Sequence, residues 1–454
     1  MPSIRAIFLA VVTTLAAQLA LAGPAVDPAH PAAGKAGQSA LHSAATTKKT
    51  DEPPPREVFE IDTNTCVTCH SSQPEPKYST PAKQFVTSVH ADDRIGCVGC
   101  HKGDPRDPTV RAHDREGGFT SKPSEQGIVT ICGGCHSDAP FIRRFNARLR
   151  TDQGDLFPLS LHGKLANAGD PNAPTCATCH GYHDVVAVSS LLAPTHPRNV
   201  ANLCARCHEN PALMKSYGLP INEKAKWQRS AHARALLGGN PQAPSCTGCH
   251  GPHSATPPRA TTVGRVCGQC HPDQLEAFRQ SPHSKAYRKL GLSECVPCHD
   301  PHEARRSSWD INSSEFVCNR CHAKDAVPRQ VAAELSRIVT TARGRLDRAK
   351  ARYEALKAQG INVHGAQYSL DQLDTEQQKL SITLHSLNPS RLRLPMAAVI
   401  EAADRSEKLI SAAQHERQMR RRGYFVALGL AILLLILLVA KSVQLARQRS
   451  RSKA

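Results

Sequence analysis

Residues 176–185 read CATCHGYHDV. Two cysteines stand three apart, His180 follows the second at once, and His183 comes three residues later. The stretch decides the fold because it recurs. The same five-residue core appears as CVTCH at 66–70, CVGCH at 97–101, CGGCH at 132–136, CATCH at 176–180 and CARCH at 204–208. It continues as CTGCH at 246–250, CGQCH at 267–271, CVPCH at 295–299 and CNRCH at 318–322. These nine motifs use all eighteen cysteines of the 454-residue chain.

Three chemistries compete for such cysteines. A CxxC pair suits a redox disulfide or half of a zinc site. Many cysteines in an exported chain suit a disulfide framework. Neither explains a histidine after every second cysteine. Covalent attachment of c-type haem does. Two thiols three residues apart on a short turn can reach the two vinyl groups of one porphyrin, and the adjacent imidazole becomes the proximal ligand of iron. The expected thioether residues are therefore Cys66, Cys69, Cys97, Cys100, Cys132, Cys135, Cys176, Cys179, Cys204, Cys207, Cys246, Cys249, Cys267, Cys270, Cys295, Cys298, Cys318 and Cys321. The expected proximal ligands are His70, His101, His136, His180, His208, His250, His271, His299 and His322, one for each of nine haems c.

The region around the motifs is built as a repeat. CGGCHSDAPFIRRF at 132 is matched by CARCHENPALMKSY at 204 and CGQCHPDQLEAF at 267. Each is followed by a Ser-x-His and then by a second CxxCH trailed by a histidine three residues on. The copies are SLHGKLANAGDPNAPTCATCHGYH (160–183), SAHARALLGGNPQAPSCTGCHGPH (230–253) and SPHSKAYRKLGLSECVPCHDPH (281–302). A partial copy lies upstream, with SVH at 88–90 and Lys102-Gly103 where the trailing histidine pattern begins. The unit carries two haems, and CNRCH at 318 closes the array.

This unit resembles the multihaem c-type cytochromes with doubled CxxCH units, over about 60% of the chain. The resemblance implies that most irons take two histidines. It also implies electron transfer along packed haems, between quinone-linked membrane enzymes and periplasmic or outer-membrane acceptors. A branch of that resemblance, the nitrite reductase and hydroxylamine oxidoreductase group, leaves one haem open for substrate, so reduction of a small nitrogen or sulfur compound (nitrite, hydroxylamine, tetrathionate) is the alternative. The Lys-ligated Cys-x-x-Cys-Lys motif of pentahaem nitrite reductases is absent from the sequence. The candidate second ligands are His90, His113, His162, His183, His196, His232, His253, His283 and His302. Of these, His113 and His196 stand outside the repeat. No nucleophile–base constellation is evident, and no catalytic residue is assigned.

The ends of the chain set its location. MPSIRAIFLAVVTTLAAQLALAG has a basic residue, an apolar run and an A-x-A site before Gly23, the pattern of a secretory signal over residues 1–22. Residues 23–58, rich in Ala, Pro, Gly, Thr and Lys, read as a flexible linker in which His30 and His42 are solvated bystanders. The nonahaem region spans 59–324. It has few long apolar runs and many Pro and Gly turns, so porphyrins are expected to serve as its core within short helices and loops. Residues 325–422 read as an amphipathic helical stalk. Val331, Leu335, Ile338, Ala342, Leu346, Ala349, Tyr353 and Leu356 stripe a first helix that Gly360 ends. Ser369 and Gln372 resemble a capping box for a second helix, and Asn388-Pro389 breaks it. A third, with Pro395 in its first turn, runs toward the uncharged stretch 423–440, a transmembrane helix by length and composition.

The tail 441–454 carries five basic and no acidic residues, which places it in the cytoplasm and the haems in the periplasm. The net charge of +18 divides into 22 basic against 11 acidic residues in 325–454 and 35 against 28 in 1–324. Eighteen propionates would neutralise the haem region, so the basic excess faces anionic lipid rather than nucleic acid. The fold expected is mainly α and irregular: a haem array, a helical hairpin or bundle, and one C-terminal membrane helix. The partners expected are a quinone-linked membrane complex, periplasmic or outer-membrane cytochromes, and the membrane itself.

Overall fold

A computed structural model describes residues 65–305 and 307–451. The expected signal segment, linker and last three residues of the tail lie outside them. Among the described residues there are twenty-one α-helices and no strand; one isolated bridge joins Ser308 and Phe316. From Thr65 to His322 every helix is short, the longest being Glu125–His136. Proline and glycine keep them so: Pro211 and Pro272 open helices at the first turn, and Gly218 and Gly291 close the helices Pro211–Tyr217 and Pro282–Leu290 in the left-handed conformation.

Little apolar matter lies beneath these helices. One cluster joins Val67, Phe85 and Ala91, and another joins Ala201, Trp227, Ala233 and Leu236. The contrast begins at Ala326. Ala326–Ala358, His364–Thr383 and Pro389–Arg451 form a three-helix stalk around one apolar cluster that runs from Leu335 to Ile410. The predicted stripe is its first wall, with Leu335, Ala342, Ala349, Tyr353 and Leu356 buried. The chain then reverses at Gly360, whose φ of +70° suits a residue without Cβ.

Two local expectations change. Ser369 does not cap the second helix, which starts at His364; Asn362 Oδ1 accepts the His364 amide at 3.1 Å instead. Ser369 lies inside the helix, buried, with its hydroxyl 2.9 Å from that of Ser406 on the third helix. Pro395 sits beyond the first turn of the third helix, which already begins at Pro389. That helix continues unbroken for 63 residues. From Gln414 to Ser450 every residue is exposed, and the apolar part is long enough to cross a membrane.

Candidate metal centres

Three of the attachment motifs are single helical turns. Cys97–His101, Cys176–His180 and Cys246–His250 are each five-residue helices, which carry both thiols and the imidazole on one turn. Among the described residues no disulfide joins any of the eighteen cysteines.

Each proximal histidine faces a second imidazole. The ring centroids lie 5.8 Å apart for His70 and His113, 6.3 Å for His90 and His136, and 6.0 Å for His101 and His183. They lie 6.1 Å apart for His162 with His208, His180 with His253 and His232 with His271. The remaining pairs are His250 with His302 at 6.0 Å, His283 with His322 at 5.9 Å and His299 with His385 at 6.3 Å. A metal–imidazole bond is about 2.0–2.1 Å, so two in line plus two ring radii separate centroids by about 6 Å. The nine separations therefore fit one six-coordinate iron between each pair.

The second imidazoles come from two local devices. In Ser-x-His the serine is a helix N-cap and the histidine follows in the first turn. Ser88, Ser160 and Ser230 accept the amides of Ala91, Gly163 and Ala233 at 3.3, 2.8 and 2.9 Å. These serines are almost fully buried, so each helix start, and the imidazole it carries, is fixed in place. The trailing histidine uses the opposite end of a helix. Gly181 and Gly251, with φ of +90° and +84°, end the CxxCH turn and redirect the chain. Asp300 fills that position in the third copy, and its Oδ1 accepts the His302 and Glu303 amides at 2.9 and 2.7 Å. The two devices give different ring geometry. Trailing-histidine pairs are near parallel, at 9°, 14° and 8°, whereas Ser-x-His pairs are rotated by 34° to 66°.

Several rings have their tautomer set. Nδ1–H of His101 donates to Thr120 O at 2.7 Å, and that of His299 to Arg305 O at 3.2 Å. His322 Nδ1 meets Asp325 Oδ2 at 3.1 Å, and His302 Nδ1 pairs with Glu223. A donor at Nδ1 leaves the Nε2 lone pair for a metal. Burial holds His90, His136, His162 and His253 below the usual imidazole range, and it takes His180 to about 4, with His253 and His136 adding repulsion. They stay neutral at physiological pH, the form that ligates.

The thiols trace an order. Cys97 is pushed up by hydrogen bonding to Cys66, Cys132 by Cys176, Cys204 by Cys246 and Cys295 by Cys267. Between these couples, burial raises Cys100, Cys179, Cys249 and Cys298, and each also feels a cysteine of the next motif: Cys135, Cys207, Cys267 and Cys321. Successive motifs in the sequence are thus neighbours in space from the first to the ninth. The polar atoms Ser281 Oγ, His283 Nδ1, Ser137 Oγ and Ser386 Oγ are buried without a partner, which suits a missing prosthetic group. No three His, Cys, Asp or Glu side chains among the described residues gather as a tetrahedral zinc site requires. The residues fit haem.

Eight of the nine expected second ligands hold facing positions, His113 among them. His196 does not. Its Nδ1 accepts the Arg198 amide at 3.2 Å, and it borders a separate cavity with Leu191 and Leu236. The ring that faces His299 is that of His385, on the turn Leu384–Ser386 of the stalk. His385 lies beyond the repeat copies, so the repeat pattern itself does not mark it.

Residues 266–334, which hold the last three motifs and the start of the stalk, match the family described as cytochrome c554 and c-prime. The match supports a c-type cytochrome, a class that carries electrons on covalently bound haem c. Comparison with curated proteins and with solved structures gave no match.

Proposed function

We propose that this chain is a nonahaem electron carrier, exported and held at the inner membrane by residues 423–440, with its haems in the periplasm. It passes electrons between a quinone-linked membrane donor and periplasmic or outer-membrane acceptors. The observation that carries this reading is the facing imidazole pairs, one for each of the nine CxxCH motifs.

Each haem, when bound, takes up and gives back one electron, and neighbours along the motif order exchange it. The chain's own residues do the rest. Two imidazoles per iron leave no position for substrate, which excludes chemistry other than electron exchange. The buried N-cap serines and the glycine turns hold those imidazoles in place, so little rearrangement accompanies a change of charge. Cysteine pairs such as Cys66 with Cys97 and Cys132 with Cys176 set consecutive attachment turns against one another. Reduction of nitrite, hydroxylamine or tetrathionate needs a proximal histidine without a facing imidazole, and the pairings offer no support for it.

Electron paramagnetic resonance of the oxidised protein, with carbon monoxide titration of the reduced form, tests the reading. The expected result is nine low-spin haems and no carbon monoxide shift. One high-spin haem that turns over nitrite or hydroxylamine would replace the carrier with a reductase.

A further inference from the structure

The facing pairs follow a rule with two exceptions, one near each end of the array. At the first motif, which has no module before it, His70 faces His113, which lies outside the repeat. Motifs three, five, seven and nine face the Ser-x-His imidazole of the preceding module: His90, His162, His232 and His283. Motifs two, four and six face the histidine that trails the next even motif: His183, His253 and His302. Motif eight has no even motif after it, because the array closes on the ninth. Its His299 faces His385 instead, with the rings at 28°.

We infer that His385 is the second ligand of the eighth iron, so that the haem attached at Cys295 and Cys298 is a joint tying the stalk to the array. This rests on the paired-imidazole reading above. Nδ1–H of His385 donates to Ser381 O at 2.9 Å and is within 3.3 Å of Ile382 O. The Nε2 lone pair is left free. Leu384 and Ser386 on either side are buried, so the ring is held. A cavity of about 640 Å³ opens beside Cys298. Trp309 and Arg320 line it from the array, and Val339 and Arg343 line it from the first stalk helix. Direct polar contacts at this junction include Gln280 with Arg391 and the Trp309 carbonyl with Ser336. The other stalk histidines, His364 and His415, are exposed. The eighth haem thereby adds an iron link to the direct contacts at this junction.

The test uses the full-length holoprotein, wild type and His385→Ala, with His196→Ala as control. The expected result is one additional high-spin, carbon monoxide-binding haem in His385→Ala and none in His196→Ala. Added imidazole should return that haem to low spin. Limited proteolysis should cut His385→Ala between array and stalk several-fold faster, and imidazole should not slow the cut, since it refills the iron without reconnecting the chain. Should His385→Ala fail to fold, His385→Met keeps a ligand and should give one low-spin haem of raised potential. A carbon monoxide-inert His385→Ala, an iron opened by His196→Ala, or an unshifted His385→Met would each overturn the inference. A wild type that already holds one open haem would sink the closed-carrier reading instead, and His385→Ala would still be expected to open a second.

Discussion

The array and the stalk solve the same problem with different materials. Residues 326–413 bury Leu335, Leu373, Leu380, Leu392, Val399 and Ile410 in one continuous cluster, several of them with no exposure at all. Residues 65–325 are nearly three times longer and bury only small islands, such as Val67 with Phe85 and Trp227 with Leu236. Side chains suffice to hold the stalk. The array places its histidines and cysteines where a core would be and needs porphyrin to fill it. The difference teaches that a chain can specify shape through ligand positions alone, provided each is fixed locally by a cap or a turn.

The sharpest way to break this comparison is to withhold haem. Chain made without haem attachment should lose the array wholesale while the stalk persists, leaving a protease-resistant helical fragment that begins near Ala326. An array as resistant as the stalk would remove the contrast. Next in size is Leu373→Ala, at a site with no exposure. It should destabilise the stalk by about 2–5 kcal/mol in denaturant melts. The haem spectrum should stay unchanged, and a spectral change would mean that the regions fold as one.

Smaller effects sharpen the comparison. Ser406→Ala removes the partner of buried Ser369, which should cost the stalk about 1–3 kcal/mol. Ser160→Ala removes an N-cap in the array, a loss of about 0.5–2 kcal/mol by capping alone. Its readout differs in kind: it should broaden the low-spin signal of the haem served by His162 with little change in global stability. Smallest is Lys350→Ala, which breaks an exposed pair with Asp374 and should cost less than about 1 kcal/mol.

Much of this was legible because it is written locally. CxxCH fixes both thiols and the first imidazole on one turn, and Ser-x-His announces its own N-cap. The stripe from Val331 to Leu356 has the helical period, so the stalk could be read before it was seen. His385 was not legible, because its role depends on a partner 86 positions away in the sequence (His299) and on how the stalk meets the array. The repeat nevertheless held a signal, an eighth motif without a successor to supply its trailing histidine. His196 was ambiguous because a histidine between two motifs carries no mark that distinguishes a ligand from a turn residue. Ser369 misled: the pattern of a capping box says nothing about whether its serine lies inside a helix and finds another serine across a core.

The unbroken third helix sets a height. From Pro389, beside the joint, to Gly423, where the apolar stretch begins, it rises about 50 Å at ~1.5 Å per residue. With residues 423–440 in a bilayer, a quinol dissolved among the lipids is far out of contact with His299 and His385. A donor that delivers electrons at this joint must itself stand tall above the membrane. The same rod is also a boom. With the anchoring proposed above, a tilt of about 20°, ordinary for a membrane helix, carries its top sideways by roughly 17 Å, less than the width of one small domain.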